Sequence, residues 1–228
     1  MKYEIILFDA DETLFDFKKS ERQALKNAIL DFNIDYDENY HLKIYNEVNT
    51  AIWKELEEGL ITQEKLKIER FKRFSDKLNI KFDEVLFSKF YGEHLAKASF
   101  LYEDSISLVE SLSKDYKLIM VTNGLKYVQD NRIGKSSIAK FFKNIIISEE
   151  VGVSKPDPKI FELAVKGINY TDKSKLLMIG DSLTSDIQGG INFNIDTCWY
   201  NQKKLVNKTN FIPTYEIFNL LDLKNILN

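Results

Sequence analysis

The sequence predicts an α/β fold in which a doubly wound parallel sheet is interrupted, after its first strand, by an inserted block of helices. Three observations carry this reading. The apolar run Ile5-Ile6-Leu7-Phe8 near the start of the chain ends in the acids Asp9 and Asp11, and four consecutive apolar residues read as a strand buried on both faces, as in the middle of a parallel sheet. Residues 15–100 then carry only helical periodicity. From about Leu101 onward strand and helix signals alternate, the pattern of right-handed crossovers between parallel strands.

The elements follow in order. Ser20-Glu21-Arg22-Gln23 has capping-box spacing and opens a helix with Ala24, Leu25, Ala28, Ile29 and Phe32 on one face. Leu42, Tyr45, Val48, Ile52, Trp53 and Leu56 mark a second helix, which Gly59 is placed to end. Thr62 caps a third helix with the stripe Leu66, Phe71, Phe74 and Leu78, and Asp83 a fourth carrying Leu86, Phe90 and Leu95. No strand interrupts this block, so it reads as a compact helical lid. Beyond it come a helix over 105–113, a buried strand over 117–121 ending in Thr122-Asn123-Gly124, a helix ending near Gly134, and a strand over 144–147. Asp157-Pro158 gives an N-cap with proline at the first helical position, ahead of Ile160, Phe161, Ala164 and Val165. Strands over 176–179 and 197–200 flank one more helix, and the polar stretch 201–210 reads as a surface loop. The predicted division is therefore a discontinuous core domain, 1–14 with 101–228, and a helical cap domain, 15–100.

Composition narrows the class. The chain of 228 residues has 44% hydrophobic and 29% charged residues, ordinary for a soluble globular protein. Its net charge of -3, from 32 basic and 35 acidic residues without a basic block, argues against nucleic acid as a partner. The single cysteine, Cys198, lies in an apolar strand run and is read as a small buried hydrophobe. Asp9 and Asp11 interrupt the early apolar run, so no signal-peptide pattern forms, and no run approaches the ~20 apolar residues that span a bilayer. The expectation is a cytoplasmic protein without a membrane partner, acting as a monomer or homodimer.

Each predicted strand ends in a distinct chemical group. The first gives Asp9 and Asp11, which strand alternation points the same way. The second gives Thr122 and Asn123, the third is followed by Lys155, and the fourth gives Asp181 with Asp186 five residues on. One parallel sheet brings all its carboxyl ends to one edge, where open α/β folds bind ligands. Converging carboxylates repel unless a cation or shared proton offsets them, and a hard divalent ion such as Mg2+ suits carboxylate oxygens. Threonine, lysine and backbone N–H groups suit a phosphoryl group. Together they describe carboxylates, metal and phosphoryl oxygen in one pocket, with an aspartate able to attack phosphorus. Taken singly, each residue also has an ordinary reading: a polar turn at Thr122 and Asn123, a surface lysine at Lys155, a helix-surface acid at Asp186.

The segments Phe8-Asp9-Ala10-Asp11-Glu12-Thr13-Leu14, Val121-Thr122-Asn123-Gly124, Ser154-Lys155-Pro156-Asp157-Pro158 and Met178-Ile179-Gly180-Asp181-Ser182-Leu183-Thr184-Ser185-Asp186 resemble the four ordered motifs of the haloacid dehalogenase-like hydrolase superfamily. The resemblance covers nearly the whole chain, including a cap in the first insertion position. Asp9 through Phe15, Trp53 ahead of Gly59-Leu60-Ile61-Thr62, Ile147 through Val153 and Asp186 through Asn192 are most similar to the YjjG-type pyrimidine 5'-nucleotidases.

That resemblance implies a Rossmann-like core and a phosphatase working through an aspartyl-phosphate. Asp9 is then the nucleophile and Asp11 the general acid and base. Thr122, Asn123 and Lys155 hold the phosphoryl group. Asp9, the Asp11 main-chain carbonyl and Asp181 bind Mg2+ (or Mn2+), with Asp186 joining directly or through water. The implied substrate is a small phosphate ester, a pyrimidine nucleoside 5'-monophosphate first. The second acid, Asp11, separates the pattern from that of a true dehalogenase. A sugar-phosphate phosphatase or phosphomutase of the same superfamily is the alternative, since the cap chooses the substrate. A phospho-accepting signalling module is more remote, because of the D-x-D placement and the inserted lid. Phe17 and Trp53 are read as lid packing, with base stacking as the other possibility.

Overall fold

In the computed structural model, which describes residues 2–227, six strands form one wholly parallel sheet. They are β1 (Ile5–Phe8), β2 (Lys117–Thr122), β3 (Phe142–Ile147), β4 (Leu176–Gly180), β5 (Asp196–Tyr200) and β6 (Tyr215–Ile217), in the order β3-β2-β1-β4-β5-β6. β1 is central because its four residues are apolar and completely buried, flanked by β2 and β4 in level register: Phe8 pairs with Met120 on one side and Ile179 on the other. Strand alternation turns Ile6 and Phe8 to one face and Ile5 and Leu7 to the other, and each pair joins a separate hydrophobic layer.

Helices α1 (Phe17–Asp31), α2 (Glu38–Glu57), α3 (Gln63–Leu78) and α4 (Glu84–Lys97) form the inserted block, which has its own core around Tyr45, Phe71, Phe74, Phe87 and Tyr91. Beyond it lie α5 (Ser105–Leu112), α6 (Lys126–Arg132), α7 (Ser148–Val151), α8 (Pro158–Lys166), α9 (Gln188–Asn192) and α10 (Leu223–Leu227). Leu108 and Val109 of α5 cover the Ile6 face, and Ile160, Phe161 and Ala164 of α8 the Ile5 face. The two connections into the helical block run side by side: Phe15 bridges Leu101, Asp16 N–H donates to the Phe100 carbonyl (2.9 Å) and Tyr102 N–H to that of Leu14 (3.1 Å). None of the described helices is long and apolar enough to cross a membrane.

Thr62 and Asp83 cap α3 and α4 as expected, and Asp157 caps α8 ahead of its proline. The first helix departs from expectation. It starts one turn before the Ser20 capping box, because the Asp16 side chain accepts the Lys19 N–H (2.9 Å) while its backbone is already fixed against Phe100. Ser20 then lies inside the helix, its hydroxyl returned to the Asp16 carbonyl (3.1 Å), a bond that serine makes when buried mid-helix. β3 begins at Phe142, ahead of Asn144, with a register irregularity against Leu118 and Ile119. β6 was not predicted: it has three residues, one of them exposed, and is a strand because it pairs with β5 along the sheet edge.

Candidate active site

Every strand-end group predicted from the sequence arrives at the carboxyl edge of the sheet, and the hydrogen bonds there sort them. Asp9 follows β1 directly, its N–H held by the Ile179 carbonyl (2.9 Å). One carboxylate oxygen receives the Lys155 ammonium (2.6 Å) and the other the Thr13 hydroxyl (3.2 Å). Burial pushes the Asp9 carboxyl up to about 7; Lys155 opposes the shift, and the Asp186 and Asp11 charges add to it. A carboxylate this costly to ionise inside a fold is characteristic of functional sites.

Lys155 is almost fully buried, so it is no surface lysine. Its three donors go to Asp9 (2.6 Å), Asp186 (2.7 Å) and the Val121 carbonyl (2.7 Å). Burial alone would depress the ammonium; Asp186 and Asp9 outweigh it and hold the group charged. Its backbone is clamped by the Asn123 amide, which donates to the Lys155 carbonyl and accepts from its N–H, both at 2.8 Å. The Asn123 side chain is thus committed to the lysine loop, which leaves its main-chain N–H as the donor it can offer a ligand. Asp186 divides its oxygens between Lys155 and the Ser182 N–H (3.0 Å). Gly180 permits this approach: a Cβ there would sit 2.6 Å from that of Asp186.

Asp11 is held by two residues that the sequence reading missed. Arg132 Nη1 donates to one oxygen (2.8 Å) and Gln129 Nε2 to the other (2.8 Å), while Gln129 also donates to the Thr122 hydroxyl (2.9 Å). Arg132 is completely buried and anchors back to the Ala98 carbonyl (3.1 Å), at the end of α4. In sequence the pair is two polar residues on a short helix. The only available signal is their i, i+3 spacing, which places both on one face of α6.

Asp9, Asp181 and Asp186 offer carboxylate oxygens within 4.8 Å of one another. Burial and the charges of Asp9 and Asp186 push the Asp181 carboxyl well above the usual range. Three carboxylates share one lysine, so the cluster is short of positive charge, and its all-oxygen donor set fits a hard divalent cation. Above it a cavity of about 810 Å³ runs from Asp9, Thr122, Lys155 and Asp181 to the helical block, where Phe17, Asn49, Trp53, Arg70 and Leu95 line it. The Phe17 ring rests on the Arg132 guanidinium, 4.9 Å from its centroid. The block touches the core on both sides of the cavity, through Thr184 with Glu57 (3.1 Å), Gln63 with Ser148 (2.8 Å) and the Lys67–Glu149 ion pair.

Residues 3–194 match the haloacid dehalogenase-like hydrolase family. The chain is 36% identical to the pyrimidine 5'-nucleotidase PynA of Streptococcus pneumoniae, an alignment covering 100% of this chain and 96% of that protein. It is 32% identical to the pyrimidine 5'-nucleotidase YjjG of Escherichia coli, over 100% of this chain and 99% of that one. The chain belongs to the haloacid dehalogenase-like hydrolases. Among solved structures of the family, the HAD-hydrolase YfnB of Bacillus subtilis, 34% identical, superposes with a TM-score of 0.94 over 100% of both chains; that structure is bound to magnesium and reveals interdomain movement. The helical block and the polar groups just described line the two sides of that one cavity.

Proposed function

We propose that the chain is a divalent-metal-dependent phosphatase that hydrolyses pyrimidine nucleoside 5'-monophosphates to nucleoside and phosphate through an aspartyl-phosphate on Asp9. The observation that carries this reading is the convergence of Asp9, Asp181, Asp186 and Lys155 beneath a cap cavity with aromatic walls. Full-length similarity to two pyrimidine 5'-nucleotidases supports the substrate class.

In the first half-reaction an Asp9 oxygen attacks phosphorus, the P–O bond to the nucleoside breaks, and Asp11 gives its proton to the leaving oxygen. In the second, Asp11 takes a proton from water as that water attacks phosphorus, and the acyl-phosphate bond breaks to return Asp9 and free phosphate. Arg132 and Gln129 fix the Asp11 carboxyl, so its proton transfers start from a defined position. Thr122, the Asn123 N–H and Lys155 would face the phosphoryl oxygens, with the lysine charge already in place. Mg2+, held by Asp9, Asp181, the Asp11 carbonyl and Asp186 directly or through water, would offset the carboxylate repulsion and polarise the phosphoryl group.

The test is a kinetic panel of phosphate release from UMP, dUMP, dTMP, ribose 5-phosphate and hexose phosphates, with Mg2+ and with excess chelator. Nucleotides should lead in kcat/KM, activity should vanish with chelator, and Mg2+ or Mn2+ should restore it. A sugar phosphate that outperforms every nucleotide would overturn the nucleotidase reading, and undiminished turnover in chelator would overturn the metal assignment.

A further inference from the structure

The cap wall of the cavity contains a cation that the chemistry above does not use. Arg70 on α3 is only 4% exposed, and among the described residues no carboxylate lies within ion-pairing distance of it. Its Nη1 donates to Asn49 Oδ1 (3.0 Å) and, at longer range, to the Tyr45 hydroxyl (3.4 Å), while its buried Nε has no acceptor. The guanidinium lies over the Phe71 ring (4.7 Å) and the Tyr91 ring (5.0 Å). Glu21 is the countercharge, and two neutral groups separate it from the arginine: the Tyr45 hydroxyl (3.0 Å) and the Asn49 amide (2.8 Å) both donate to Glu21 Oε1. The Asn49 amide is thereby oriented, with its oxygen fixed on Arg70. A buried charge and a buried N–H left without an acceptor are both unfavourable. An acceptor placed in the cavity would offset the charge, and Arg70 and Asn49 line the same cavity as Asp9 and Lys155.

The chemistry of that acceptor can be narrowed. Arginine offers only donors, and Phe17 and Trp53 on the same cavity offer apolar faces. A flat heteroaromatic ring bearing a carbonyl oxygen satisfies both. Uracil, thymine and cytosine share the 2-carbonyl, whereas adenine has no carbonyl at all. We infer that Arg70, held by Asn49, recognises the 2-carbonyl of the pyrimidine base and so sets the base preference of the enzyme; this deepens the nucleotidase reading and rests on it.

Two experiments test the assignment. In the first, kcat/KM is measured for UMP, CMP, AMP and ribose 5-phosphate with wild type, Arg70→Met and Arg70→Lys, after thermal melts confirm folding. The ratio of UMP to ribose 5-phosphate should fall about 10- to 100-fold in Arg70→Met, through KM, the worth of a hydrogen bond to a charged donor. CMP should fall in parallel with UMP, and AMP less. A ratio equal to that of wild type, or an equal loss on ribose 5-phosphate, would overturn the assignment. The second experiment uses only the wild-type protein, so it stands even if the variants do not fold. Replacing the base oxygen with sulfur, a poorer acceptor, should raise KM in 2-thiouridine 5'-monophosphate and spare 4-thiouridine 5'-monophosphate. Equal effects, or the reverse order, would overturn it. Failure of the nucleotidase reading itself would look different: wild type would favour ribose 5-phosphate over every nucleotide before any variant is made.

Discussion

Asp9→Asn should leave the metal-free protein more stable than wild type at pH 8, although it removes the proposed nucleophile. The Asp9 carboxyl rises from 3.8 to about 7 on folding, driven first by burial. The folded state therefore holds a proton between pH 4 and 7 that the unfolded state has released, so stability falls as pH rises through that window. At 1.36 kcal/mol per pH unit, the ionised carboxylate costs about 4 kcal/mol by pH 8. Asparagine resembles the neutral acid and avoids this cost, which is already net of the attraction between the carboxylate and Lys155. The net gain is up to about 4 kcal/mol, or about 8–16 °C in Tm for a chain of this size. Thermal melts of both proteins in chelator from pH 4 to 8 should converge at the acid end and separate toward pH 8. Adding Mg2+ should raise the wild-type Tm by mass action and move the variant much less. Coincident pH profiles in chelator, or a variant melting below wild type at pH 8, would refute the electrostatic account of the site.

Asp11→Asn should slow UMP hydrolysis about 100- to 10,000-fold, as expected for loss of general acid and base catalysis. The first step should suffer far less on p-nitrophenyl phosphate, whose leaving group departs without a proton; equal single-turnover losses on both esters would remove Asp11 from that role. Asp11→Ala should lower stability by up to about 3 kcal/mol, because it strands the buried Arg132 charge, and Asp11→Asn less; denaturant titration measures both, and equal midpoints would show that the ion pair contributes nothing. Gly180→Ala should push Asp186 off Lys155 and reduce kcat/KM, since a Cβ has no space beside the Asp186 carboxyl; a variant with wild-type kinetics and metal affinity would show that the Lys155–Asp186 contact is dispensable.

Strand positions were legible because β1, β2 and β4 are buried on both faces and must be nearly continuous apolar runs. The polar groups after those runs stood out for the same reason: Asp9, Thr122 and Asp181 interrupt sequence that is otherwise core. β6 and the true start of α1 lacked such a signature, since pairing at a sheet edge and a clamp between Asp16 and Phe100 are decided by residues far away in the chain.

The buried cations show where sequence reading runs out. Arg70 and Arg132 sit on helices whose other charges face solvent, and arginine on a helix is ordinarily a surface residue. Each is buried by side chains distant in sequence, Arg70 against Tyr45 and Tyr91 and Arg132 against Phe15 and Phe17. Arg132 reaches an acid 121 residues away, and Val128 on the same α6 packs into the cap core. Lys155 is the instructive contrast, because the sequence already singles it out in the loop that follows the third strand, while its three acceptors come from the residue after β1, from β2 and from the segment after β4. The core supplies groups whose roles follow from where strands end. The cap supplies groups whose roles depend on which helices meet, and Arg132, tied both to Asp11 and to the Ala98 carbonyl at the end of α4, is where the two are joined. One buried side chain thus ties the end of α4 to the acid, an arrangement that no periodicity in either segment encodes.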